Sequence, residues 1–391
     1  MKKFIGLFIF CTIALCNTAS AQIQQIAYTV NKVWGNGQHC AFTSIAEFKG
    51  KYYVTFREAQ GHVFDSDGEA RGKIRILVSE DGDKWETLPL IGKDGYDLRD
   101  PKLSVTPDGR LMVTLGGSIY RNQKLVDCQP HVFFSEDGKT FTEPQPIVFE
   151  SKVEGESEWL WRVTWQGDTG YGVSYGGPEG QEATIKLMKT TDGINYSLVK
   201  AFPEINGFPN EATVRFLPDG RMAILLRRDG GDRQAMWGLS NAPYTDWQWK
   251  KTGFYLGGPD CIVLDDNRIV AGGRTFLAPH AAKTTLFVGD NNGRFIDAVI
   301  LPSGGDTSYP GFITVGNELW VSYYSMHGSP NASVYVAKFP LDMFYKRNTF
   351  LVLSLLCFPM PSRFFLWGKK LRQRMKLRNN VMMMAAILHA A

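Results

Sequence analysis

Asn210-Glu211-Ala212-Thr213-Val214-Arg215-Phe216-Leu217-Pro218-Asp219-Gly220-Arg221 reads as a strand running into a tight turn. A second strand, Met222-Ala223-Ile224-Leu225-Leu226, follows and ends in Arg227-Arg228. The turn has a physical basis: proline presets its own backbone angle and glycine accepts positive φ. A carboxylate, Glu211, opens the first strand and an arginine pair closes the second. The same paired unit is expected at 42–48 with 52–57, 102–106 with 111–115, 161–165 with 171–175, 261–264 with 268–272, and 312–315 with 319–324.

A second motif lies between the pairs. Ser79-Glu80-Asp81-Gly82-Asp83-Lys84-Trp85, Ser135-Glu136-Asp137-Gly138-Lys139-Thr140-Phe141 and Thr190-Thr191-Asp192-Gly193-Ile194-Asn195-Tyr196 start 56 and 55 residues apart, with degenerate copies near 240–247 and 289–295. In each, the Asp can bond turn amides while the aromatic packs under the hairpin. Six units of about four short strands, at a period near 50 residues, predict an all-β, six-bladed β-propeller. The last unit is one strand short, and residues 26–33 are expected to supply that strand and close the ring.

Residues 1–21 read as a signal peptide: Lys2 and Lys3, an apolar run over 4–16, then Ala19-Ser20-Ala21. The mature chain is therefore expected outside the cytoplasm, secreted or periplasmic, with a propeller domain over 22–341. Cys40, Cys128, Cys261 and Cys357 show no metal-type spacing and read as buried small residues. Residues 342–391 break the pattern and read as a poorly ordered basic and apolar tail, too short in its apolar run to span a bilayer. Nine of the 43 Lys and Arg fall after Asp342, with no Asp or Glu among those residues. The rest of the chain has 34 basic against 39 acidic residues, a net charge of −5. Such a body gives no support to nucleic-acid binding. No metal or cofactor motif is evident.

In a propeller the innermost strands surround the axis, and chemistry collects where they converge. Those strands begin at Gln38-His39-Cys40, Leu98-Arg99-Asp100-Pro101, Glu158-Trp159-Leu160-Trp161-Arg162, Pro209-Asn210-Glu211, Gly258-Pro259-Asp260 and Asp306-Thr307-Ser308-Tyr309-Pro310. A second ring of charge follows at Arg57-Glu58, Arg227-Arg228 and Arg274. His39, His62 and Asp100 are candidate acid or base groups. Trp159, Trp161 and Tyr324 are candidates to stack on a sugar. Asp81, Asp137 and Asp192 belong to rim turns, not to catalysis.

The Ser/Thr-x-Asp-Gly-x-x-aromatic repeats resemble the Asp boxes of the sialidase superfamily. Glu211 precedes Arg227 by 16 residues and Arg274 precedes Tyr309 by 35, an order similar to that family's glutamate, two arginines and tyrosine. Phe56-Arg57-Glu58-Ala59 resembles the stretch before the family's acid/base loop. The resemblance covers residues 30–341 and departs at blade one, where Gln38-His39-Cys40-Ala41-Phe42 stands in place of a Phe/Tyr-Arg-Ile-Pro motif.

The resemblance implies a retaining, exo-acting glycoside hydrolase for a terminal acidic sugar, sialic acid first. Tyr309 would be the nucleophile and Glu211 its base, because a phenol with a pKa near 10 needs a carboxylate to take its proton. A phenol also suits a substrate that carries its own carboxylate, since it repels that group less than an aspartate would. Arg227, Arg228 and Arg274 are candidates to bind the substrate carboxylate. Arg57, Arg99 and Arg162 are candidates for the missing third arginine. Asp65, or Asp67, is the expected acid. Two alternatives remain open: a lyase or glycosidase acting on uronic-acid glycans, with His39 and Tyr309 abstracting a proton in the lyase, and a non-catalytic carbohydrate-binding propeller.

Overall fold

Short runs of alternating apolar and polar residues, cut by Gly, Asp and Pro, leave each strand with two faces to bury. The computed structural model describes residues 28–150, 157–177 and 181–345, and shows six sheets, antiparallel but for one outer pair in blade three, arranged as six blades. The expected signal peptide, and the tail beyond Tyr345, lie outside the described residues. Blade one runs from His39–Phe48, innermost, through Lys51–Ala59 and Lys73–Ser79 to Glu86–Thr87. Blades two, four and five repeat that order, starting at Asp97–Val105, Pro209–Phe216 and Gly257–Val263.

Blade six has three strands of its own, Thr307–Val315, Glu318–Ser325 and Ser333–Pro340. Its fourth is Thr29–Trp34, which pairs antiparallel with Ser333–Pro340. The ring closes as expected, three residues later at its start than the sequence suggested. Blade three departs further. Its inner strand, expected over 161–165, is broken into Ser157–Leu160 and Thr164–Gln166, and Val148–Phe149 adds a parallel outer strand. Asp342–Tyr345 is one helical turn whose Met343 and Phe344 are buried against blade six. The first four residues assigned to the tail therefore belong to the propeller.

The apolar core is distributed between blades. Leu98, Val113 and Phe133 of blade two meet Tyr53 and Ile76 of blade one, and comparable clusters fill the other junctions. The Asp-Gly turns close these junctions from outside. Ser79 Oγ accepts the Gly82 amide at 2.8 Å, and Asp81 Oδ1 accepts the amides of Asp83 and Lys84 at 2.8 and 2.9 Å. The turns at Asp137 and Asp192 repeat this arrangement. Each turn presents its glycine to the preceding blade. A Cβ on Gly82 would lie 2.0 Å from the Trp320 ring of blade six, and one on Gly138 would lie 2.1 Å from Tyr53 Oη of blade one. Cys40, Cys128 and Cys261 are buried and unpaired.

Gly82 combines that close approach with a φ of +73°. Gly82→Ala is therefore expected to destabilise the fold by about 2 kcal/mol or more, read as a fall in the urea unfolding midpoint.

Candidate functional site

The inner strands reach the axis through β-bulges. Pairing slips between Ala41 and Ser44, Arg99 and Lys102, Pro209 and Ala212, Gly257 and Asp260, and Ser308 and Gly311, at the same place in five blades. A bulge adds a residue to one strand and re-aims its side chains. Phe42 (φ 67°), Asp100 (54°) and Tyr309 (51°) sit in the left-handed region there, uncommon for residues with a side chain.

Tyr309 donates its hydroxyl to Glu211 Oε1 at 2.5 Å. Glu211 Oε2 accepts Arg227 Nη1 at 2.7 Å and the Gly258 amide at 2.8 Å, and Arg227 Nη1 also lies 3.4 Å from Tyr309 Oη. Blades four, five and six thus meet on one carboxylate. Gly258 is required twice over: its φ is +61°, and a Cβ there would lie 2.6 Å from the Tyr309 ring. The main chain around Tyr309 is pinned by Thr43 Oγ1 on the Tyr309 carbonyl (2.7 Å) and by Arg162 Nη2 on the Pro310 carbonyl (2.7 Å). Burial, then the Glu211 charge, raises the Tyr309 phenol well above its usual pKa, so it rests neutral.

A second group centres on Asp306. Its Oδ1 accepts Arg274 Nη2 at 2.9 Å and the Tyr324 hydroxyl at 2.8 Å, while His39 Nε2 and His62 Nδ1 share its Oδ2 at 2.9 and 2.6 Å. Burial works to raise this carboxyl, but the two histidine hydrogen bonds, the His62 charge and the Arg274 charge outweigh it and hold it well below the usual range. His39, His62 and Asp306 are also the described residues spaced to hold a metal ion. The surroundings fit hydrogen bonding better than a dication. Arg274 already occupies the same carboxylate, and the buried His39 Nδ1 lacks the acceptor that usually orients a metal-bound histidine.

The sequence candidates separate accordingly. Tyr309, Glu211, Arg227, Arg274, His39 and His62 come together in these two groups. Arg227 Nη2 and Arg274 Nη1 have no hydrogen-bond partner among the described residues. Arg57 does not line a pocket. It is fully buried, paired with Asp97 at 2.7 Å, and donates to the carbonyls of Gly61 (2.8 Å) and Val63 (3.1 Å), so it holds the backbone on either side of His62. Arg99 is also buried, against Asp97, Asp100 and the Tyr120 hydroxyl.

Arg162 is spent on Ser44, Pro310 and Asp260. Arg228 faces away from Arg227, as neighbours on a strand must, and holds Asp232 and the carbonyls of Asn206 and Gln234. Asp65 and Asp67, the expected acids, are tied to Arg71 within their own loop. Trp161 and Tyr324, offered for sugar stacking, are buried in the axial cluster, where Trp161 packs against Tyr309 with ring centroids 5.7 Å apart. Trp159 stacks on Tyr175 at 6.2 Å. Asp100 is buried, its Oδ1 lacks a hydrogen-bond partner, and burial raises its carboxyl above the usual range.

Sequence reasoning passed over Asp306 and Lys102. Asp306 stands three residues before Tyr309, so it was visible as the opening of that strand. Lys102 follows the Asp100-Pro101 bulge in the inner strand that also carries Arg99. Its Nζ lies 4.7 Å from the Trp161 ring centroid and 5.3 Å from that of Tyr309.

No family model matches this sequence, and no curated protein sequence matches it. Solved structures share its fold. They include a protein of unknown function from Dyadobacter fermentans, 18% identical, with a TM-score of 0.67 over 80% of this chain and 99% of that one. Trypanosoma rangeli sialidase in complex with the inhibitor DANA is 14% identical, with a TM-score of 0.63 over 77% of this chain and 55% of that one. Penicillium chrysogenum alpha-L-arabinanase complexed with arabinobiose is 14% identical, with a TM-score of 0.62 over 81% and 99%. The chain thus spans about half the length of the sialidase chain. At such identities the likeness is one of fold, and it includes named glycoside hydrolases.

Lys102 yields a stability prediction. Burial first, then the Arg162 charge, lowers it from an ordinary 10.5 to about 7, against Asp100, Glu211 and Asp260. Between about pH 7 and 10.5 the unfolded chain holds this proton and the folded chain does not, so this group adds stability as pH rises through that window. Below about pH 7 its penalty is complete. Lys102→Met is expected to be more stable than wild type at pH 6, by roughly 2 kcal/mol after allowing for the anions that lose a cation. The gain should shrink towards pH 10, as read from urea midpoints at each pH.

Proposed function

We propose that this protein is an exo-acting, retaining glycoside hydrolase that removes a terminal acidic sugar, sialic acid before others. The observation that carries the reading is the 2.5 Å hydrogen bond from the Tyr309 hydroxyl to Glu211, with Arg227 against both. A buried neutral phenol becomes a nucleophile only when a base takes its proton, and Glu211 is in position to do so. Tyr309 Oη would attack the anomeric carbon as the glycosidic C–O bond breaks, and the phenolic proton would pass to Glu211. Water would then release the sugar, with the proton returning from Glu211 to Tyr309.

Arg227 and Arg274 support an acidic sugar in particular, because each has a terminal nitrogen that no described residue occupies and that can donate to a carboxylate. Residues 1–21 of the sequence support export of the mature chain. His39 is nearly fully buried and bonded to Asp306, which weakens the case for its acting as a lyase base.

The test is release of 4-methylumbelliferone from its sialic acid glycoside. Wild type should turn over, Tyr309→Phe should not, and Glu211→Gln should lose roughly 10²–10⁴-fold in kcat/KM. Wild-type inactivity on sialosides alongside turnover of a uronide would replace the sugar. Glycan binding without turnover of either would overturn the enzymatic reading.

A further inference from the structure

Cleavage at Tyr309 and Glu211 also needs a proton donor for the leaving oxygen. Asp67 and the Oδ2 of Asp65 are held by Arg71 within their own loop, and the second Asp65 oxygen, Oδ1, is buried without a partner among the described residues. His62 differs in three respects. Its side chain is 46% exposed, the most open of the Tyr309 and Asp306 groups. Its Nδ1 is fixed on Asp306 Oδ2, while its Nε2 has no partner among the described residues. Its ring also stands edge-on to Phe42 at 5.2 Å, and Phe42 in turn stands edge-on to Tyr309 at 5.0 Å.

The segment carrying His62 is positioned from several sides. Arg57 grips the carbonyls of Gly61 and Val63, and Arg99 Nη2 reaches the His62 carbonyl at 3.5 Å. A Cβ on Gly61 would lie 2.2 Å from the Phe64 carbonyl, so the turn before His62 leaves no room for a side chain. Asp306 is itself held by Arg274 and Tyr324, and so serves as a fixed acceptor. An Asp bonded to one imidazole nitrogen sets the tautomer and directs the other nitrogen to substrate.

We propose that His62 is the acid/base catalyst of this site, with Asp306 as its positioning residue. In the first step, His62 Nε2–H gives its proton to the glycosidic oxygen as that oxygen leaves the anomeric carbon and Tyr309 Oη bonds to it. In the second, neutral Nε2 takes a proton from water as the water oxygen bonds to the anomeric carbon and Tyr309 departs. The cycle returns both groups to their starting states. This inference rests on the glycoside hydrolase reading.

The experiment compares sialyllactose, whose sugar leaving group needs protonation, with the 4-methylumbelliferyl sialoside, whose leaving group needs little. His62→Ala should lose about 10³-fold in kcat/KM on sialyllactose and less than tenfold on the aryl glycoside. Azide should raise its kcat on the aryl glycoside, because an anionic nucleophile needs no base. Asp306→Asn should show a milder form of the same split.

Equal losses on both substrates, or no azide effect, would overturn the proposal while leaving the hydrolase reading intact. So would a leaving-group split in Asp100→Asn with none in His62→Ala. Wild-type inactivity on both sialosides and on the uronides would defeat the underlying hydrolase reading, and this one with it. A thermal melt of His62→Ala, expected within a few degrees of wild type for so exposed a side chain, separates loss of fold from loss of chemistry.

Discussion

One buried carboxylate ties the propeller to its site. Glu211 belongs to blade four, yet its oxygens are shared by Arg227 of its own blade, the Gly258 amide of blade five and the Tyr309 hydroxyl of blade six. A charge removed from water must recover its solvation from fixed donors. Here those donors exist together only when three blades are in register about the axis. The same requirement extends to ring closure, since Tyr309 lies on the blade completed by Thr29–Trp34.

The bulges turn a repetitive fold into a specific site. A regular strand alternates its side chains between the two blade junctions, and would send few of them to the axis. The extra residue in five inner strands breaks the alternation at one level and turns Phe42, Asp100 and Tyr309 inward. Around them the ionic side chains sort into networks with distinct jobs. Asp97 with Arg57 and Arg99 fixes the loop bearing His62. Asp260 with Arg162 and Arg215 braces the main chain next to Tyr309. Asp306 organises Arg274, Tyr324 and two histidines, in a chain that lacks an arginine at the start of blade one. Most of the charge near the axis is thus committed to holding positions. Among the described residues, the partly exposed cationic and imidazole groups of the two clusters that keep an unpartnered nitrogen are Arg227, Arg274 and His62.

The repeat was legible from local chemistry alone. Ser79-x-Asp81-Gly82 and its copies specify their own turns, because side chain and amide partners lie within four residues of each other. The order Glu211, Arg227, Arg274, Tyr309 was legible too, since it places one polar group at each of several equivalent strand ends. The roles of the other arginines were not. Arg57, Arg162 and Arg228 look like Arg227 and Arg274 in sequence, and each differs only in which partners surround it. Trp161 was offered to a sugar and lies beneath Tyr309, because a break in the blade-three strand turns it inward.

The sequence by itself determined the unit, its six-fold repetition and the closing strand, all set by turn residues and strand alternation that act over a few positions. Only the tertiary structure decided which charges are neutralised and which remain available. His39 and Asp306 are 267 residues apart, and Tyr309 and Glu211 are 98 apart. Pairing over such distances depends on the angle between blades and on a bulge of one residue in each. Burial then sets what a buried pair can do, because the energy of a charge depends on the solvent and partners around it far more than on its neighbours in the chain.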